Sequence, residues 1–200
     1  MQEAIHHLRT ADPVLADIIA QVGAYRIEFR EPGFETLVKA IVFQQLSGRV
    51  ANVIFARLAR AAGHPLTPEG VLKLRPVRMR TLGLSRQKIA YIRDLARQTR
   101  SGEVDFNALA QLPDEEVIAK LTGIKGVGVW TAHMFLIFAL RRTNVLPVGD
   151  LGIRAAIRKA YGMADMPTPS EVEDVARVWH PWCTVASWYL WRSLEPDANL

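Results

Sequence analysis

Helix start and stop signals recur along almost the whole sequence, and they constrain the possible folds more than any other feature. Asp12 followed by Pro13 is a typical helix N-cap, and apolar residues then recur at helical spacing up to Gly23. Further start signals are Thr67 with Pro68, Ser85, Asp105, and Pro113 with Asp114. The alternating pattern of exposed strands and the Asn-Gly or Asp-Gly turns of hairpins are missing. The sequence therefore predicts an all-α protein.

Two local patterns carry more specific expectations. Between Tyr25 and Phe34, apolar and charged residues alternate before Pro32 and Gly33 interrupt the chain, which leaves a short strand and a loop both open. Near the carboxyl end, Ser170 with Glu173 predicts a capping box.

Composition narrows the class of protein. Half of the 200 residues are hydrophobic, which is enough for a core, and the net charge of +5 points to a polyanionic partner. The single cysteine, Cys183, excludes an internal disulfide framework and any thiolate cluster. The first ten residues lack the apolar run of a signal peptide, and the most apolar stretch, 127–140, is too short for a membrane span. We therefore expect a cytoplasmic protein without a membrane partner.

The segment Leu121–Leu140, LTGIKGVGVWTAHMFLIFAL, is the most informative. A helix ends there, Gly123, Gly126 and Gly128 turn the chain, and an apolar helix begins at once. Glycine permits positive φ angles and close approach of the backbone to a ligand, and the next helix offers unpaired amides at its positive end. Such a turn can bind one backbone phosphate without reading sequence. The alternative is an ordinary glycine helix end between two core helices.

These residues resemble the helix-hairpin-helix motif. Together with LPVGDLGIR (146–154), they resemble the helix-hairpin-helix (HhH-GPD) DNA glycosylase superfamily. Three further stretches resemble its alkylbase branch, the 3-methyladenine DNA glycosylase II family: IVFQQLSGRVA from position 41, TLGLSRQKIAYIRDLA from position 81, and WHPWCTVASWYLW from position 179. The motifs occur in the order and spacing of the family.

The resemblance implies a single catalytic unit with two helical lobes around a cleft. Lobe A would comprise about residues 35–112, and lobe B residues 1–34 with 113–200. It also implies a monomer of the short form, without the β-rich N-terminal domain of longer members. The expected partner is double-stranded DNA containing alkylated bases.

The resemblance places Asp150 at the essential aspartate of the family. A carboxylate there would stabilise the sugar cation that develops as the glycosidic bond breaks, and would position or deprotonate a water. No cofactor would be required for catalysis. Because Asp150 precedes an apolar helical pattern, it is also a good N-cap, and the two roles need not exclude each other.

Tryptophans are the candidates for a base pocket. Trp130 and Trp191 match aromatic pocket positions of the family, and Trp188 is a weaker candidate. Indole faces attract cations, and alkylated purines such as 3-methyladenine are cationic. Core packing is the alternative for each, since Trp188 and Trp191 share a helix face. Bifunctional relatives carry a nucleophilic lysine where this chain has Trp130, so a monofunctional glycosylase without lyase activity is expected.

The family alignment places Gln45 at the side chain that enters the DNA stack when a base flips, with Leu46 as its neighbour. The alternative is that Leu46 packs in the core and Gln45 lies on the surface.

Phosphate contacts are expected from two segments. The predicted residues are Gly123, Lys125, Gly126, Gly128 and Thr131 of the hairpin, with Gly83, Ser85 and Lys88 as a second clamp. Ser85 is equally well explained as a plain N-cap. The family hairpin also commonly holds a monovalent or divalent cation, here on the main-chain carbonyls of Thr122, Ile124 and Val127, a site without a side-chain signature.

The expected activity is excision of alkylated purines, 3-methyladenine and 7-methylguanine, by base flipping and hydrolysis in base excision repair. Two alternatives stay open from the sequence. One is a noncatalytic helix-hairpin-helix module that binds damaged DNA, and the other is a bifunctional glycosylase/lyase.

Overall fold

The computed structural model describes residues 1–194, and within that range all regular structure is helical. The α-helices in chain order are α1 Gln2–Ala11, α2 Pro13–Val22, α3 Phe34–Phe43, α4 Gly48–Ala62, α5 Pro68–Lys73, α6 Pro76–Thr81, α7 Arg86–Ser101, α8 Phe106–Leu109, α9 Asp114–Thr122, α10 Val129–Phe138, α11 Leu151–Ala160, α12 Pro169–Ala176 and α13 Cys183–Leu194. The all-α prediction is confirmed. None of the helices in the described range is long and apolar enough to cross a bilayer.

The helices divide into two compact units. The first contains Met1–Phe29 and the described residues from Leu136 onward, and the second contains Arg30–Phe135. The division therefore falls inside α10. It places α8, α9 and the hairpin in the same unit as α3 to α7, whereas the expected lobe boundary was near residue 112.

The first unit is organised around α13, which packs against α2 and α11. Its core joins apolar side chains from α1 and α2 with those of α11, α12 and α13, and Trp179 and Tyr189 are the largest fully buried members. The amino-terminal helices are thus built into the same core as the last three helices.

Asp12 is the polar centre of this unit and is 5% exposed. Its Oδ1 caps α2 by accepting from the Leu15 amide at 3.1 Å. Its Oδ2 accepts from Trp179 Nε1 at 2.7 Å and from the Tyr161 hydroxyl. One carboxylate therefore joins α2 to residues 149 and 167 positions later in the chain.

The second unit is built on α7, whose buried face carries Ile89, Ile92, Leu95 and Ala96. Helices α3 and α5 pack against it. Arg93 donates to the Leu74 carbonyl at 2.8 Å and so holds the carboxyl end of α5. This unit carries the hairpin and the turn that follows α3.

One local expectation is decided and another is corrected. The segment before Phe34 is a loop without a strand, and its apolar residues Tyr25 and Ile27 are partly buried against the core of the first unit. The capping box is formed by Thr168 and Glu171 rather than by Ser170 and Glu173, because Pro169 takes the first helical position and shifts the cap two residues earlier.

Replacing Asp12 with Asn is expected to destabilise the protein by about 2–3 kcal/mol, because the amide NH2 then faces groups that are themselves donors. Asp17→Asn, an exposed position on α2, is the matched control. Denaturant unfolding measures both variants. Equal stability of Asp12→Asn and Asp17→Asn would contradict the role of this network.

Candidate functional site

Asp150 is the N-cap of α11 and is held by two donors on one oxygen. Its Oδ1 accepts from the Ile153 amide at 2.8 Å and from Trp191 Nε1 at 2.8 Å. The capping role expected from the sequence is confirmed. The residue is buried, at 8% exposure. Two donors, one from α11 and one from α13, therefore hold this oxygen.

Gly152 allows the indole of Trp191 to approach the first turn of α11. A Cβ at this position would lie 3.0 Å from Asp150 Oδ1 and 3.0 Å from Trp191 Cδ1. A Cβ there would crowd both groups by a few tenths of an ångström, so glycine lets the Trp191 indole bond to Asp150 without displacement. Sequence reasoning missed this role, although the motif LPVGDLGIR contains the signal.

The loop before Asp150 is anchored to the start of α13 by Thr184. The Thr184 hydroxyl donates to the Arg142 carbonyl at 2.7 Å and accepts from the Val145 amide at 3.0 Å. The side chain is buried. Asp150 is therefore positioned from three sides: by its own helix, by Trp191 and by a pinned loop.

The two tryptophans of α13 have different surroundings. Trp191 is half-buried and stacks on Phe138 with ring centroids 6.1 Å apart and planes 23° apart. Trp188 is 3% exposed and packs edge-on against Tyr25 and Tyr189. This placement favours core packing for Trp188 over a role in a base pocket. Trp191 combines an aromatic face with a direct bond to Asp150.

Trp130 lies in the second unit, in the first turn of α10, and is 50% exposed. An exposed indole is suited to contact a ligand, but its pocket role stays a prediction. Thr131, the next residue, is 5% exposed, and its phosphate contact likewise stays a prediction.

The hairpin between α9 and α10 has buried apolar anchors and an exposed backbone. Ile124 and Val127 point into the core at 1% and 4% exposure. Gly126 has φ +81°, the left-handed region that favours glycine. The ring of Tyr91 lies 2.0 Å from the place where a Cβ of Gly126 would be, so no other residue fits there. Lys125 is exposed and pairs with Asp94 at 4.0 Å.

The turn after α3 presents Gln45 and Leu46 to solvent. Gln45 has φ +56°, a strained value for a residue with a side chain. Leu46 is 38% exposed, so the alternative that it packs in the core is not supported. Both side chains are accessible, as a residue that enters a DNA stack must be.

Each residue of the second predicted phosphate clamp has a contact or a backbone role within the protein itself. Ser85 caps α7 by accepting from the Lys88 amide at 3.1 Å. A Cβ on Gly83, which has φ +106°, would meet Ile54 Cγ1 at 3.0 Å. The Lys88 ammonium donates to the carbonyls of Val42 and Gln44, each at 2.7 Å. Phosphate binding by these residues stays a prediction.

Comparison with known proteins identifies the family. The model of the HhH-GPD superfamily base excision DNA repair proteins matches residues 38–181. DNA-3-methyladenine glycosylase 1 of Schizosaccharomyces pombe is 37% identical over 194 residues, covering 94% of this chain and 85% of that protein.

Two solved structures are similar over nearly the whole chain. DNA-3-methyladenine glycosidase from Bacillus halodurans has a TM-score of 0.88 at 34% identity and covers 96% of this chain and 89% of that chain. The Schizosaccharomyces pombe 3-methyladenine DNA glycosylase in complex with abasic DNA has a TM-score of 0.86 at 35% identity and covers 99% and 98%.

Asp150→Asn is expected to keep the stability of the wild type within about 0.5 kcal/mol, since the amide oxygen can still accept from Ile153 and Trp191 and Asn is a good N-cap. Asp150→Ala loses both bonds and is expected to cost about 1–2 kcal/mol. Thermal unfolding of the two variants checks this. Equal melting temperatures would show that the carboxylate oxygen does not hold α11 and Trp191 together.

Proposed function

Because this chain belongs to the HhH-GPD superfamily of base excision DNA repair proteins, we propose that it excises 3-methyladenine and 7-methylguanine from double-stranded DNA by hydrolysis. The observation that carries the proposal is the fixed, buried carboxylate of Asp150 at the family position of the essential aspartate, with an indole bonded to it. The protein would act as a monomer in the compartment that holds the chromosome.

Asp150 supplies negative charge where the reaction creates positive charge. Breaking the bond between base and deoxyribose builds an oxocarbenium-like sugar, and a fixed carboxylate in a site poor in water stabilises it. Its hydrogen bonds to Ile153 and Trp191 hold the carboxylate in place, so little reorganisation is needed during the reaction. The same group orients the water that attacks the sugar carbon.

The alkylated base needs little help to leave. An alkylated purine is cationic, which weakens the glycosidic bond, and an indole face attracts such a cation by about 0.5–2 kcal/mol. Trp191, which bonds to Asp150, is the side chain that we assign to this contact, and the pocket role of Trp130 stays a prediction. A strong general acid is therefore not required.

Two further contacts position the DNA. The hairpin backbone from Gly123 to Gly128, at the amino end of α10, binds a phosphate. The exposed Gln45 fills the space that the flipped nucleotide leaves in the stack. Neither contact reads base sequence, as expected for an enzyme that searches for damage.

The hairpin carbonyls suit a hard cation. Those of Thr122, Ile124 and Val127 are uncharged oxygen ligands, and a group without carboxylates favours a singly charged ion bound weakly. The Ile124 carbonyl already accepts from the Val127 amide at 3.0 Å, and its second lone pair can still ligate an ion. A cation there would strengthen phosphate binding by the loop.

Asp150→Asn is expected to lower the single-turnover rate of base release by at least about 100-fold, because the fixed negative charge is lost while the fold is kept. Released 3-methyladenine and 7-methylguanine are measured from methylated duplex DNA, and affinity for abasic DNA serves as the folding control. Activity like that of the wild type in Asp150→Asn would contradict the mechanism. Tight binding of alkylated DNA by the wild type without any base release would favour the noncatalytic module.

Borohydride is expected to trap no covalent complex between the wild type and DNA that contains the damaged base. A trapped complex requires an amine that forms a Schiff base, and this chain has Trp130 where bifunctional relatives have lysine. A known glycosylase/lyase serves as the positive control. A trapped adduct, or strand cleavage without added alkali, would support the bifunctional alternative instead.

A further inference from the structure

One face of α7 contacts both DNA-binding segments of the second unit. Lys88, Tyr91 and Asp94 are spaced three residues apart and so lie on one side of the helix. Lys88 bonds to the turn after α3, Tyr91 packs on Gly126, and Asp94 pairs with Lys125. The turn that carries Gln45 and the hairpin thus share one support.

Lys88 satisfies the carboxyl end of α3. The last carbonyls of a helix lack partners within the helix, and a glycine in left-handed conformation often closes such an end. Here the Lys88 ammonium takes that place with two bonds of 2.7 Å to the carbonyls of Val42 and Gln44. Partial burial lowers the pKa of Lys88, which agrees with an ammonium that faces two carbonyls and is partly removed from solvent.

The strained residue Gln45 comes directly after these two bonds. A residue with a side chain stays in the left-handed region only where its surroundings hold it there. On the carboxyl side, the Leu46 amide reaches back to the Phe43 carbonyl at 3.3 Å. Lys88 is the side chain that bonds to the backbone immediately before Gln45.

Gln44 connects this turn to the hairpin. Its Nε2 donates to the Gly126 carbonyl at 2.9 Å, although the two residues are 82 positions apart. Gly126 in turn lies against Tyr91 of α7. The backbone of Gln44 is therefore held by Lys88, and its side chain holds the loop that would bind phosphate.

We propose that Lys88 is a positioning residue that fixes Gln45 relative to the hairpin. Gln45, the wedge, would then enter the DNA stack in register with the phosphate that the hairpin binds. The proposal rests on the proposed function of the wedge and the hairpin. It assigns Lys88 to protein carbonyls, whereas the sequence had suggested a phosphate contact.

Lys88→Met tests the proposal on duplex DNA with 2-aminopurine opposite a tetrahydrofuran abasic site. Fluorescence reports disruption of the stack by the wedge, and affinity is measured between 50 and 200 mM salt. We expect the fluorescence change and the single-turnover excision rate at saturating enzyme to fall roughly tenfold, as for the loss of one or two partly buried hydrogen bonds. The slope of log affinity against log salt should stay unchanged.

A phosphate contact by Lys88 would give a different result. If Lys88 contacted phosphate, Lys88→Met would reduce the magnitude of the slope of log affinity against log salt by about 0.9 and would weaken binding. The fluorescence change and the rate at saturating enzyme would then be normal. This outcome, or wild-type behaviour throughout, would overturn the proposal. Lys73→Met, at an exposed position on α5, is the control for loss of one positive charge.

Two further variants keep the test decisive. In the background of Gln45→Ala, Lys88→Met should have little added effect on fluorescence, and full additivity would overturn the proposal. If Lys88→Met does not fold, Gln44→Met removes the bond to Gly126 and should lower the same signal. The fluorescence signal on the abasic duplex measures insertion of Gln45 without any catalysis. Failure of the wild type to release any base would therefore refute only the proposed function, and not the role of Lys88.

Discussion

The carboxylate of Asp150 is the group on which the proposed chemistry depends. A single oxygen accepts from the first turn of α11 and from an indole 41 residues later, so the helix start, α13 and the candidate catalytic group are fixed together. The capping and catalytic roles of an aspartate are often treated as alternatives. Here the two roles are compatible, because the hydrogen bond that caps α11 also orients the carboxylate that we propose to be catalytic.

The sequence predicted those features that depend on neighbouring residues. The caps at Asp12, Ser85 and Asp150 follow from side chains that reach amides three residues away, and each is confirmed. The capping box failed because Ser170 and Thr168 both fit the pattern, and only the fixed φ of Pro169 decides between them.

The contacts that position the site could not be predicted in the same way. Trp188 and Trp191 share a helix face in the sequence, yet one is buried against Tyr25 and Tyr189 and the other bonds to Asp150. The residues that Lys88 contacts are more than 40 positions away, and a lysine three residues after a helix cap looks like a surface cation. Long-range packing determines both outcomes, and local periodicity contains no information about it.

The environments of Cys183 and Lys125 agree with the proposal that water attacks the sugar. Cys183 is the only cysteine of the sequence, and burial raises the pKa of its thiol to about 12, so it remains protonated. Lys125 is paired with Asp94, and the resemblance places Trp130 where bifunctional relatives have the reactive lysine. In the proposed mechanism, the carboxylate of Asp150 stabilises the sugar cation, and a cationic leaving group compensates for the weak nucleophilicity of water. The proposed mechanism would favour alkylated purines over neutral bases, because a cationic base leaves without strong acid catalysis.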